Sequence, residues 1–142
     1  MDNINRILLA VDGSENAQRA TAHLIALLKA GGMPAHEVHV LNVQLPVPTG
    51  FVGHDTVEQY HRIEADKALA PALKLLQVAG IQHAPHILVG QIAETIARYA
   101  TEHQCGQIVI GTRGMSTIAG LVLGSVASRL IHLAPVPVTL VK

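Results

Sequence analysis

The chain has 142 residues, 49% of them apolar, with ten basic side chains cancelled by ten acidic ones and only Phe51, Tyr60 and Tyr99 as aromatics beside nine histidines. That length and apolar content suit one domain over residues 1–142 with a full core and argue against disorder, while the balanced charge and scarce aromatics leave no basic groove or stacking platform for nucleic acid. Met1 to Arg6 has no basic region leading into an apolar core, no apolar run nears the roughly 20 residues of a bilayer span, and Cys105 is the sole cysteine, so a cytoplasmic protein without disulfides or membrane contact is expected.

Arg6-Ile-Leu-Leu-Ala-Val11 is a continuous apolar run suited to a strand covered on both faces, and Asp12-Gly13-Ser14 ends it with turn residues. Ser14 is placed to cap a helix whose apolar positions Ala17, Ala20, Leu24, Leu27 and Leu28 recur until Gly31-Gly32. Val38 to Val43 reads as a second strand. The Pro46, Pro48, Gly50 and Gly53 that follow predict a long connection, with residues 44–56 as a lid that orders over a filled site. From Val57 to Ala79 the positions Ala65, Ala68, Leu69, Ala72, Leu75 and Leu76 give an amphipathic helix, with a kink expected at Pro71. His86 to Val89, Gln107 to Ile110 and Val136 to Val141 read as strands, and Ile92 to Glu102 and Val126 to Leu133 as helices.

The order βαβαβαβαβ predicts right-handed crossovers and an α/β fold, a five-stranded parallel sheet with helices on both faces. Doubly wound, its strands run most naturally 3-2-1-4-5, so strands 1 and 4 adjoin where the winding reverses, and ligands bind in that crevice. Asp12 leaves the carboxyl end of strand 1 and Gly111 that of strand 4. The last strand is an edge with apolar residues along it, and pairing with a second copy through Val136 to Val141 is the expected cover, giving a homodimer.

Between strand 4 and the last helix lies Gly111-Thr-Arg-Gly114-Met-Ser-Thr-Ile-Ala-Gly-Leu-Val-Leu-Gly124-Ser125. Glycines between a strand and a helix N-terminus can present bare backbone N–H groups and the positive end of the helix dipole to a phosphate. Gly111 is expected to turn the chain off the strand, Gly114 to admit a ligand close to the backbone, and Gly124 to open the helix beside the Ser125 hydroxyl. No Gly-Lys-Ser/Thr follows a four-residue spacer, so the segment is not a Walker A loop. Its one cation is Arg113, assigned here a phosphate contact; without a loop lysine, binding is favoured over phosphoryl transfer.

Asp12 is placed either to accept hydrogen bonds from ribose hydroxyls or to help hold Mg²⁺ near phosphates. Val43, at the end of strand 2, can offer its backbone to a purine. The pairs His36-x-x-His39 and His83-x-x-His86 lack accompanying Cys, Asp or Glu at ligand spacing, and with His36 and His83 read as falling in connections, a surface or sheet-edge role is expected rather than metal binding. Ser14, Ser116 and Ser125 form no Gly-x-Ser-x-Gly elbow. Cys105 is expected to be a small buried side chain.

With Gly111, Gly114, Gly124 and Ser125 spaced as Gly-x2-Gly-x9-Gly-Ser and Ile7-Leu-Leu-Ala-Val-Asp-Gly-Ser14 before them, the chain resembles the universal stress protein family over its whole length. The resemblance implies a Rossmann-like fold related to the adenine nucleotide alpha hydrolases, in a cytoplasmic, dimeric protein tied to survival under stress. It also implies the ATP-binding subgroup, with Asp12, in the Asp12-Gly13-Ser14 loop, facing the ribose, Val43 the adenine, and Gly111, Gly114, Gly124, Ser125 and Val126 the phosphates. The expected ligand is ATP or AMP, with Mg²⁺ held indirectly through Asp12. The expected role is a nucleotide-dependent regulator. A slow ATPase or autophosphorylating protein, and a nucleotide-independent interaction or holdase module, are the alternatives; no positioned general base is visible for the former.

Overall fold

The computed structural model describes residues 6–31, 37–48, 50, 53–114 and 123–142. Over these the chain alternates β1 (Arg6–Ala10), α1 (Glu15–Lys29), β2 (Glu37–Gln44), α2 (His54–Val78), β3 (His83–Val89), α3 (Ile92–Glu102), β4 (Gln107–Gly111), α4 (Ser125–Leu133) and β5 (Val138–Val141). Every strand pair is parallel, in the order β3-β2-β1-β4-β5. The expected sheet is the observed one.

Period-two alternation in β1 divides the core between the two faces. Ile7 and Leu9 pack with Leu24 and Leu28 of α1 and with Leu69 and Leu76 of α2. Leu8 and Ala10 pack with Ile96 and Ala100 of α3 and with Leu130 of α4. A strand apolar at consecutive positions is thereby explained, because it is roofed on both sides. Cys105 belongs to the second layer, and burial pushes its thiol up to about 11. It is therefore protonated near neutrality and acts as packing.

The first helix starts where its sequence says. The Ser14 hydroxyl accepts the Ala17 N–H at 3.1 Å, and Asp12 Oδ1 accepts the Ser14 N–H at 3.0 Å, so two donors at the helix start are satisfied by side chains. After Lys29 the cap is Ala30, and Gly31 takes φ +74°, a conformation glycine adopts without strain. Gly32, the other expected stop, lies outside the described residues.

Several boundaries differ from expectation. β3 begins at His83 rather than His86, so His83 is a strand residue and not part of a connection; His36 lies outside the described residues. Pro85 sits within β3, paired with Val40. Such a residue is tolerated because β3 is an edge strand, where a missing N–H interrupts no second ladder. α2 starts at His54 and runs unbroken through Pro71. The connection expected over 44–56 is correspondingly shorter: Gln44 closes β2, 54–56 open α2, and residues 49, 51 and 52 lie outside the described set. β5 begins at Val138 rather than Val136. Pro135 and Pro137 have no N–H to donate, yet the Pro137 carbonyl already accepts the Ile108 N–H at 2.9 Å.

Leu24 is fully buried between α1 and the sheet. Leu24→Ala is expected to lower unfolding free energy by about 3 kcal/mol, whereas Val78→Ser, at an 81% exposed position, should stay within about 0.5 kcal/mol of the parent. Urea denaturation at unchanged m-value measures both.

Candidate functional site

The crevice forms where β1 and β4 part. Ala10 pairs with Ile110 across the two strands; beyond that point β1 leads into the Asp12-Gly13-Ser14 turn and β4 into the glycine segment. The turn is held from β2: Val11 donates its N–H to the Leu41 carbonyl at 3.0 Å, and its own carbonyl accepts from Asn42 Nδ2 at 2.8 Å. Gln44 Nε2 in turn braces Asn42 Oδ1 at 2.6 Å. Gly13 is required twice over. Its φ is +86°, and a Cβ there would stand 3.1 Å from the Ala68 Cα of α2.

Asn16, in the first turn of α1, ties the second lip to the first. Its Oδ1 accepts the Arg113 N–H at 2.6 Å, and its Nδ2 donates to the Val141 carbonyl of β5 at 2.9 Å. The same carbonyl accepts the Thr112 N–H at 2.9 Å. Asn16 is only 4% exposed. The role expected of Gly111 is corrected by this amide. Gly111 ends β4, paired with Val141, and does not take a left-handed turn. It is glycine because a Cβ would fall onto Asn16 Oδ1 and within 2.8 Å of Asn16 Cγ.

The other two glycines close the loop ends against each other. The Gly124 N–H donates to the Thr112 carbonyl at 2.6 Å, and a Cβ on Gly124 would lie 3.2 Å from that oxygen and 3.4 Å from the Arg113 Cα. Gly114 faces across the crevice: a Cβ there would approach Asp12 Oδ2 to 2.7 Å. Two features noticed separately in the sequence, the aspartate after β1 and the glycine pair after β4, are thus in direct apposition. Residues 115–122 between them lie outside the described set.

Gly124 is the N-cap of α4 and offers no side-chain hydrogen bond to the helix. Ser125, exposed, and Val126, half-buried, open its first turn. No acidic residue stands in that turn, unlike α1 with Glu15, α2 with Asp55 and α3 with Glu94. The positive end of the α4 dipole therefore meets no fixed counter-charge from its own helix. Val43 lies near the carboxyl end of β2, its side chain buried in the α3-side core, so its backbone is what remains for the crevice.

Three polar residues went unread in the sequence: Asn16, Asn42 and Thr112. Thr112 Oγ1 is buried without a hydrogen-bond partner among the described residues. The available signal was at Asn42, an asparagine between the apolar core residues Leu41 and Val43, where a buried amide must be bonded.

The chain as a whole has counterparts among known proteins. The family model described as the universal stress protein family matches residues 3–142. The chain belongs to that family. A universal stress protein of Thermus aquaticus is 33% identical over 137 residues, covering 96% of this chain and 97% of its own. The universal stress protein UspA of Lactobacillus plantarum shares the fold with a TM-score of 0.82 at 22% identity, over 98% of both chains. The universal stress protein of Archaeoglobus fulgidus, solved in complex with dAMP, matches with a TM-score of 0.70 and 28% identity over the full length of both chains. Among the described residues, no helix is long and apolar enough to cross a membrane.

Asn16→Ala leaves the Arg113 N–H without its acceptor and takes one of two donors from Val141. A loss of about 2 kcal/mol is expected, with Gly111→Ala moving stability in the same direction by displacing the Asn16 amide. Thermal and urea unfolding of the two variants check this.

Proposed function

We propose that this universal stress protein binds an adenine nucleotide, ATP or AMP, in the crevice between β1 and β4, and that the bound nucleotide sets its state as a stress-response regulator. The observation that carries the reading is the apposition of Asp12 with Gly114 beside an α4 N-terminus free of acidic residues. One lip is suited to ribose hydroxyls and the other to phosphate oxygens. The complex of the Archaeoglobus fulgidus relative with dAMP supports the ligand class.

In this reading Asp12 accepts from the ribose, and Gly13 and Ser14 shape the turn that presents it. The Val43 backbone lines the adenine. Gly111, Gly114, Gly124, Ser125 and Val126 surround the phosphates with main-chain N–H groups and one hydroxyl, and Arg113 adds a positive charge. No group of three or more His, Cys, Asp or Glu side chains able to hold a metal ion occurs among the described residues. A carboxylate alone is a poor Mg²⁺ site, but Mg²⁺ ordinarily takes one or two carboxylates together with substrate phosphates, and Asp12 fits that part. Mg²⁺ would there neutralise phosphate charge. The same reading places the protein in the cytoplasm as a homodimer through the outer edge of β5, whose residues Val138–Val141 are half-buried and pair only with β4.

Isothermal titration of nucleotide-free protein with ATP and with AMP, each with and without Mg²⁺, tests the proposal. Saturable binding is expected, and Gly124→Val is expected to weaken it by about 2 kcal/mol or more, roughly thirtyfold in Kd, while circular dichroism shows the variant folded. Absence of heat with both nucleotides sinks the reading. Sedimentation equilibrium is expected to show a dimer at micromolar concentration, and Val138→Lys, which sets like charges along a paired edge, to yield monomer.

A further inference from the structure

On the α3 side of the sheet, reaching from mid-β3 towards the amino ends of β1 and β2, four rings meet: His39 of β2, His86 of β3, Tyr99 of α3, and His103 at the C-terminal cap of α3. His39 and His86 stack with centroids 5.2 Å apart and planes 16° apart; Tyr99 and His103 stack at 3.8 Å and 13°. His39 joins the two stacks edge-on to Tyr99, and its Nδ1 lies 2.6 Å from the Tyr99 hydroxyl. Nε2 of His39 and Nε2 of His86 are both buried with no hydrogen-bond partner among the described residues.

The charged groups facing the cluster are few. From β1 comes Arg6, which donates to the His103 carbonyl at 2.7 Å and grips Glu37 Oε2 at 3.1 and 3.2 Å. From β2 comes Glu37, whose Oε1 stands 3.6 Å from His39 Nε2. The Cys105 thiol, in the turn after α3, and the Tyr99 phenol are both neutral near pH 7, since burial pushes the first up to about 11 and the second up to about 12. Among the described residues the only carboxylate facing the cluster, Glu37, is therefore already engaged by a guanidinium.

We propose that these four rings are an acid-operated latch, which fastens edge strand β3 and the end of α3 to the sheet while the imidazoles are neutral and lets go when His39 and His86 take up protons. The chemistry lies in the Tyr99 bond. A protonated phenol donates to Nδ1 of neutral His39, which directs the ring's own N–H, on Nε2, towards Glu37. A proton arriving at Nδ1 turns that acceptor into a donor, so the phenol must accept instead, and its O–H is left without an acceptor in a site where Tyr99 is 3% exposed. A second proton, on His86, sets two cations ring against ring beside Arg6, with Glu37 as the sole counter-charge among the described residues. β3 is bonded on one side only, to β2, so its release breaks a single ladder.

The direction agrees with the environment. Burial foremost, and then neighbouring imidazoles, hold His39 and His86 below the ordinary value of 6.5. A histidine so depressed contributes stability that is complete above its ordinary value and is lost as pH falls through the lowered one.

Hydrogen exchange of the intact protein, resolved by peptide and corrected for intrinsic rate, reads the latch between about pH 7.5 and about pH 5. Peptides covering 83–89 and 99–104 are expected to lose protection about tenfold or more on acidification, ahead of those in β1 and β4, and the double variant His39→Phe, His86→Phe to hold its protection level across that range. Equal protection of the parent at both ends of the range, or an undiminished acid response in the double variant, overturns the proposal. Should the double variant not fold, imidazole C2–H titration of the parent by NMR decides: two resonances moving well below the ordinary range support the latch, and all resonances within that range defeat it.

Discussion

One buried amide governs the geometry of this protein's crevice. Asn16 reaches from α1 to the backbone of the glycine segment on one side and to β5 on the other, so the helix is fixed to both partners of the β4–β5 ladder at its end. An amide suits the task because it carries an acceptor and a donor on one planar group, and its two partners are a main-chain N–H, at Arg113, and a main-chain carbonyl, at Val141. Gly111 follows from Asn16, since the space a Cβ would need is taken by that side chain. The apposition of Asp12 and Gly114, and with it the reading as a nucleotide site, depends on the same clamp.

Much of the fold could be read from apolar spacing alone. Burial on two faces is written into Ile7-Leu8-Leu9, helix α3 has the limits its periodicity gives, and the strand order follows from how parallel strands must be connected. The two misread strand boundaries involve prolines in opposite ways. Pro85 looks like a breaker yet sits inside edge strand β3, whereas the last strand, read through Pro137, begins only after it; which of the two a proline does depends on whether its missing N–H faces a neighbour, a property of position in the sheet. Of the candidate site, the glycines and Asp12 were visible because their chemistry is local. Asn16 was not, because its partners lie far along the chain and an asparagine near a helix start reads as ordinary. The ring cluster was hidden for the same reason: His39 and Tyr99 are 60 positions apart.

The sheet gives the molecule two unlike ends. Beyond the carboxyl ends of β1 and β4, glycines bring backbone and the Asp12 carboxylate close together, while towards the amino ends of β1 and β2 large rings fill the space and, among the described residues, two imidazole nitrogens go unpaired. β2 belongs to both, since His39, Leu41 and Val43 alternate onto one face. The surface ion pairs add little to this plan. Arg98 with Glu102 and Arg129 with Glu94 are exposed on the helices, where solvent screens them and side-chain ordering offsets most of the gain.

The bond from Asn16 to the Val141 carbonyl joins residues 125 positions apart. Contacts of such separation form slowly, because the intervening chain must first be gathered in. The first helix can therefore wind and the first strands can associate while the glycine segment still has nothing to anchor it; only when the fifth strand docks does the lip of the proposed nucleotide site acquire its shape. On the proposed reading, ligand competence is then a late event of folding, and occupancy of the crevice would report that the whole sheet, rather than one half of it, has been assembled.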